Sequence, residues 1–197
     1  MRRWLSRAAR DRRGIAATEF ALVAPVLIAM IVGFFDVAHS AYVSAVLQGE
    51  LERAGRSSTM QSGTSSTAAI DAAVSEIVSE IIGDGATFAS TRLNYSSFSE
   101  AGTPERFIDK TPFNNRYDPG ECFEDTNANG RWDADRGRTG QGGANDVVVY
   151  KITVTYPRMF PMAGLFGWSD NQSITASTLL RNQPYAPQAI PVVNICT

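Results

Sequence analysis

The stretch "RRGIAATEFALVAPVLIAMIVGFFDVAHS", residues 12–40, decides the architecture. From Phe20 to Phe35 it carries no charge, and from Ile15 to Ala38 its about 24 residues are interrupted only by Glu19 and Asp36. A membrane-spanning helix needs about 20 mainly apolar residues. The core of a cleavable secretory signal is shorter, roughly 7–15 residues, and a small-residue cleavage site follows it. The run therefore reads as an anchor that is retained. Six arginines precede it within the first 14 residues, Asp11 is the one acid among them, and no comparable basic cluster follows. The positive-inside rule then places residues 1–13 in the cytoplasm and residue 40 onward across the membrane.

The helix is expected to outrun the bilayer. Residues 37–55, "VAHSAYVSAVLQGELERAG", contain good helix formers and no proline. Ala41, Ala45 and Gly49 recur at four-residue intervals, a small-residue stripe that permits close helix packing. A helix over residues 15–55 is about 60 Å long at its usual rise per residue. Pro25 interrupts its backbone ladder, which membrane helices tolerate with a kink.

Charge is distributed unevenly. The net charge is −2, but beyond residue 14 there are 12 basic and 19 acidic residues. A basic leader before an acidic body argues against nucleic-acid binding, which places Lys and Arg on the folded part. Apolar content of 44% rules out wholesale disorder, and 197 residues suit one modest domain plus an anchor. His39 is the single histidine and falls at the membrane edge, so a His-based triad or a His-rich zinc site lacks its parts. No phosphate-binding glycine motif leads into a helix. The chain is not expected to be an enzyme.

Arg12, Arg13, Gly14, Glu19, Phe20 and Pro25 together form a pattern: a basic leader, a glycine, four residues, a glutamate, an aromatic, then an apolar stretch with an early proline. This resembles the amino-terminal signature of the TadE-like family, minor pseudopilins of the tight-adherence (Flp) pilus assembly system. The resemblance implies cutting after Gly14 by a membrane prepilin peptidase, leaving Ile15 as the first residue and Glu19 as the fifth. It implies insertion in the bacterial inner membrane and assembly with other pilins through the helix. A physical reading of Glu19 stands beside it. Cutting creates an α-ammonium at Ile15, and such a charge in an apolar bundle needs a partner, which a carboxylate one turn along can supply. The plain alternative is an ordinary boundary residue in the headgroup region. "RNQPY", residues 181–185, resembles a short segment near the end of such proteins, with Gln183 where Glu is usual.

The remainder reads as an α+β head over residues 70–197, joined to the helix (residues 15–55) by a Ser/Thr-rich connection, residues 56–69. Ile70, Val74, Ile77, Val78, Ile81 and Ile82 recur at helical spacing before a Gly stop. Strands are expected at residues 90–98, 146–157 and 173–182, the second alternating Val148, Tyr150, Ile152, Val154 and Tyr156 with a largely polar set. An antiparallel sheet against helix is also what the pilin-like resemblance implies.

Two features carry possible chemistry. Asp125, Asn127, Asn129 and Gly130 match positions one, three, five and six of a calcium loop; Asp133 falls at nine, with Arg131 able to offer a carbonyl between them. Position twelve is Arg136 rather than an acid, so Asp135 has to replace it in an altered geometry, and flanking helices are not evident. The alternative is a polar turn whose Asx side chains bond their own backbone. Cys122 and Cys196 both follow the anchor, hence lie in an oxidising compartment under the stated topology, where a bridge between them is expected. Two separately buried thiols are the alternative. Two functions compete: a structural pseudopilin-like component, and a membrane-anchored extracytoplasmic binding protein, calcium-dependent and without a pilus role.

Overall fold

The structure is a computed structural model that describes residues 14–60, 67–160, 164, 167–183 and 193–196. The arginine leader, residues 61–66 of the Ser/Thr-rich connection and parts of residues 159–168 and 181–197 lie outside those residues. The chain divides into two compact units: Met1–Tyr42 with Pro157–Gln172, and Val43–Tyr156 with Ser173–Thr197. Helix α1, Ile15–Met60, runs through both. It passes residue 55 and takes in the first residues of the expected connection.

In the first unit, the large side chains of α1 from Phe20 to Val37 are exposed apart from the half-buried Val32, and α1 is long and apolar enough to cross a membrane. Against this part of the helix lies the connection between two strands of the sheet, β5 (Val147–Pro157) and β6 (Asn171–Arg181). An ion pair joins Asp36 of the helix to Arg158 of the connection.

The second unit holds the core. Val43, Leu47, Leu51 and Ala54 of α1 are buried, a stripe at helical spacing along one face. They cluster with Val74 and Val78 of α2 (Thr67–Ile82) and with Tyr150, Ile152, Val154 and Tyr156 of β5. Ala41, Ala45 and Gly49, the small-residue stripe, stand outside this core and are exposed. The bulkier stripe gains more from leaving water, roughly 1.5–3 kcal/mol per large side chain. Gly55 lets the helix approach the sheet: an added Cβ there would stand 2.4 Å from Leu180 Cδ1.

The sheet has the order β4-β1-β5-β6, with β1 at Thr87–Tyr95 and β4 at Arg138–Thr139. β1 and β5 pair antiparallel from Thr87↔Thr155 to Tyr95↔Val147. The alternation expected for β5 is what buries its apolar residues on the helix side. A second sheet, β2-β3-β7, consists of Phe107–Ile108, Cys122–Asp125 and Val193–Ile195. Its strands are too short to show a period in the sequence.

One polar cluster ties α2 to the main sheet. Asp71 accepts a hydrogen bond from Ser90 at 2.7 Å, from both terminal nitrogens of Arg92 at 2.9 and 2.5 Å, and from the Tyr150 hydroxyl. The Arg92 guanidinium also lies 3.8 Å over the Tyr150 ring. Burial raises the Asp71 pKa, but the bonds from Arg92, Tyr150 and Ser90 outweigh it and hold the carboxyl below its ordinary 3.8. Burial and the Asp71 bond push the Tyr150 hydroxyl upward. A multiply bonded cluster of this kind, gathered on one carboxylate, sets the register of helix on sheet.

Candidate functional site

Two places carry the residues singled out by the sequence. The first is the start of α1. Gly14 stands just before the helix, Ile15 is its first residue, and Glu19 and Phe20 follow one turn later, both exposed. An added Cβ at Gly14 would meet nothing within 4 Å, and its backbone is not in the left-handed region that favours glycine. Among the described residues, then, neither packing nor backbone conformation calls for glycine there. Glu19 is an exposed carboxylate on a helix surface that is otherwise apolar up to Phe35.

The second is the loop after β3. Asp125 is buried and accepts from the Asn129 and Gly130 amides at 3.2 and 2.8 Å. Asn127 Oδ1 accepts from the Asn129 amide at 3.1 Å, and Asn129 Oδ1 from the Arg131 amide at 2.8 Å. These are Asx turns. The Nδ2 groups of Asn127 and Asn129 converge on Asp133 Oδ2 at 2.6 and 2.5 Å. Asp135 does not join them. Its carboxylate accepts from the Tyr95 hydroxyl at 2.9 Å and the Gly137 amide at 3.1 Å. Burial and then Asp135 push the Tyr95 hydroxyl up to about 12. Among the described residues, no three His, Cys, Asp or Glu side chains are grouped to hold a metal ion.

Glu105, which sequence reasoning passed over, organises this loop from a distance. It is 1% exposed, and its two carboxylate oxygens accept from the Thr126 and Asp133 amides at 2.7 and 3.1 Å. The same arrangement occurs a second time. Glu121 accepts from the Lys110 and Asp118 amides at 2.6 and 2.9 Å. Asp109 accepts from the Asn114 and Asn115 amides, as Asp125 does from Asn129 and Gly130. Asn114 Nδ2 donates to Asp118 Oδ2 at 2.8 Å, as Asn129 does to Asp133.

The sequence carries the duplication. Glu105-Arg-Phe107-Ile-Asp109 is matched by Glu121-Cys-Phe123-Glu-Asp125, and Asn114-Asn-Arg-Tyr-Asp118 by Asn129-Gly-Arg-Trp-Asp133. Phe107 faces Phe123 in the β2–β3 pairing, and Tyr117 stacks on Trp132 with centroids 4.9 Å apart and planes 9° from parallel. Each glutamate thus caps one loop of a two-loop module. Asn115 and Gly130, at φ 56° and 76°, make the tight turn in each. Comparing the chain with itself is the signal that finds this repeat. Cys122 on β3 is disulfide-bonded to Cys196, just after β7, which closes the module's other edge.

The amino-terminal segment is TadE-like: residues 14–56 match the family model described as TadE-like protein. The match begins at Gly14 and ends within α1. No curated protein gives a significant match to the chain, and no solved structure does.

Proposed function

We propose that the chain is a structural, pseudopilin-like component of a tight-adherence (Flp) pilus or secretion assembly. In this reading a prepilin peptidase cuts after Gly14, α1 holds the protein in the inner membrane, the leader is cytoplasmic, and the α+β head is extracytoplasmic. The observation that carries it is the match from Gly14 onward on a helix whose apolar surface the described residues leave uncovered. A glycine that nothing described in the chain requires is what a peptidase needing a small residue at the scissile bond would select. An exposed, unpaired lipid-facing surface suits lateral packing with other pilins, whereas a catalytic role finds no nucleophile–base pair in the sequence.

Glu19 supplies the partner for the new α-ammonium at Ile15, on its own chain or a neighbour. Glu19→Gln removes a charge and so should leave insertion intact while reducing incorporation into the assembly. Immunoblotting of membrane and assembled fractions from cells carrying each form measures both. Incorporation at the wild-type level would remove Glu19 from the assembly step.

A second reading, calcium binding at residues 125–135, rests on the convergence of Asn127, Asn129 and Asp133 on one point. Presenting oxygens there requires both Asn amides to turn over, losing two Asx bonds worth about 1 kcal/mol each. The cation has to offset that loss, which fits a weak, millimolar, extracellular-type site. Millimolar calcium should then raise the melting temperature of the full chain in detergent, and Asp133→Asn should remove the rise. An unchanged melting temperature returns the loop to a pair of self-satisfied turns.

A further inference from the structure

The anchor helix has a charge at each end of its apolar run. From Glu19 to Asp36 is about 26 Å of helix at 1.5 Å per residue, against a hydrocarbon thickness of about 30 Å. With Glu19 at one boundary, Asp36 falls at the other. Asp36 is there ion-paired with Arg158, and both side chains are more than four-fifths buried. Arg158 also donates through Nε to the Ser169 carbonyl at 3.0 Å, and its amide to the Asp170 carbonyl at 2.8 Å. Its guanidinium carbon lies 6.0 Å from the Trp168 ring centroid. One arginine thus fastens both ends of the β5–β6 connection to the helix at the level where the apolar run stops.

Two described residues of that connection present large apolar side chains outward. Met159 is 56% exposed and Trp168 61%. Single exposed apolar residues are ordinary. These two end a sequence, residues 159–168, that contains no charged residue, and Arg158, which adjoins Met159 and lies near the Trp168 ring, is bonded to Asp36. Tryptophan favours the membrane–water boundary, where its ring is wetted on one side only, and arginine reaches from such a position toward water.

We infer that the β5–β6 connection is a second membrane contact. Met159 and Trp168 insert at the headgroup boundary of the leaflet on the head's side, and the Asp36–Arg158 pair sets the depth. The surface belongs to the same compact unit as the apolar run of α1, and its occupant is lipid. The inference rests on α1 spanning the bilayer, as proposed above.

The test uses the full chain reconstituted in phospholipid vesicles. Trp168 fluorescence is taken as the difference between wild type and Trp168→Phe, because Trp4 and Trp132 also emit. This component should be blue-shifted and quenched by lipids brominated near the headgroup end of their acyl chains. Arg158→Ala should lose both the shift and the quenching while the chain stays resistant to carbonate extraction. Several results would overturn the inference. If the chain resists carbonate but its Trp168 component ignores the brominated lipid, the loop contact alone fails. A Trp168 component that changes with protein-to-lipid ratio and not with bromination assigns the surface to a second copy instead. Full quenching in Arg158→Ala removes the ion pair from the account. Extraction of the wild-type chain by carbonate overturns the anchor itself, and the loop contact with it.

Discussion

Glu105→Ala is expected to destabilise the head by about 3 kcal/mol, because two backbone amides, of Thr126 and Asp133, lose a charged acceptor at once. Glu105 is fully enclosed, so its removal also leaves a void beside Trp132, whose Nε1 donates to the Glu105 carbonyl at 2.9 Å. Glu105→Gln keeps the volume and one acceptor oxygen, and should cost about half as much. Denaturant unfolding of the full chain in detergent, followed by tryptophan emission, measures both. The duplication adds an internal control: Glu121→Ala should produce a loss of similar size by freeing the Lys110 and Asp118 amides. A loss below about 0.5 kcal/mol for either alanine variant, the range of an ordinary surface change, would refute the capping role.

The second large effect concerns Cys122 and Cys196. Their bond spans a sequence separation of 74 residues, which in the chain-entropy model is worth about 4 kcal/mol. Replacing both by serine should lower stability by about that amount. It should also release β7, whose Asn194 and Ile195 sit opposite Glu124 and Phe123 of β3. Hydrogen exchange would then rise on Phe123 and Asp125 while β5 stays protected. The loss should be reproduced in the wild-type chain by reductant. Equal stability with and without reductant would contradict the stapling role, and a chain isolated from cells with two alkylatable thiols would contradict an oxidising location for the head.

Much of the fold was legible because it is periodic. α2 and β5 carry their apolar residues at helical and alternating spacing, and those residues form the core. The anchor half of α1 is a run of uncharged residues, the plainest signal a sequence offers. Its distal half was harder. Val43, Leu47, Leu51 and Ala54 are the buried face, yet Ala41, Ala45 and Gly49 make an equally regular stripe, and only the sheet's presence decides between them. β2, β4 and β7 are two or three residues long, too short for a period; β2 and β7 pair with β3 beside the disulfide, and β4 pairs with β1. The Asp71 cluster gathers residues from α2, β1 and β5, so no local pattern announces it. Within the loop, the Asx positions were legible from Asp125, Asn127, Asn129 and Gly130 alone. The role of Glu105 was not, since it lies 20 residues before Asp125. The repeat that connects them was present in the sequence throughout, as E-x-F-x-D and N-x-R-aromatic-D written twice.

The central claim is that this chain is processed and assembled as a TadE-like pseudopilin, and the amino terminus of the mature protein tests it most directly. Intact-mass measurement of chain purified from membranes of cells containing a cognate prepilin peptidase should give a species beginning at Ile15. Cells lacking the peptidase, and cells expressing Gly14→Val, should give the full-length form, since a branched side chain crowds the scissile bond without disturbing any described contact of Gly14. A wild-type chain that keeps Met1–Gly14 in the presence of the active peptidase would contradict the account.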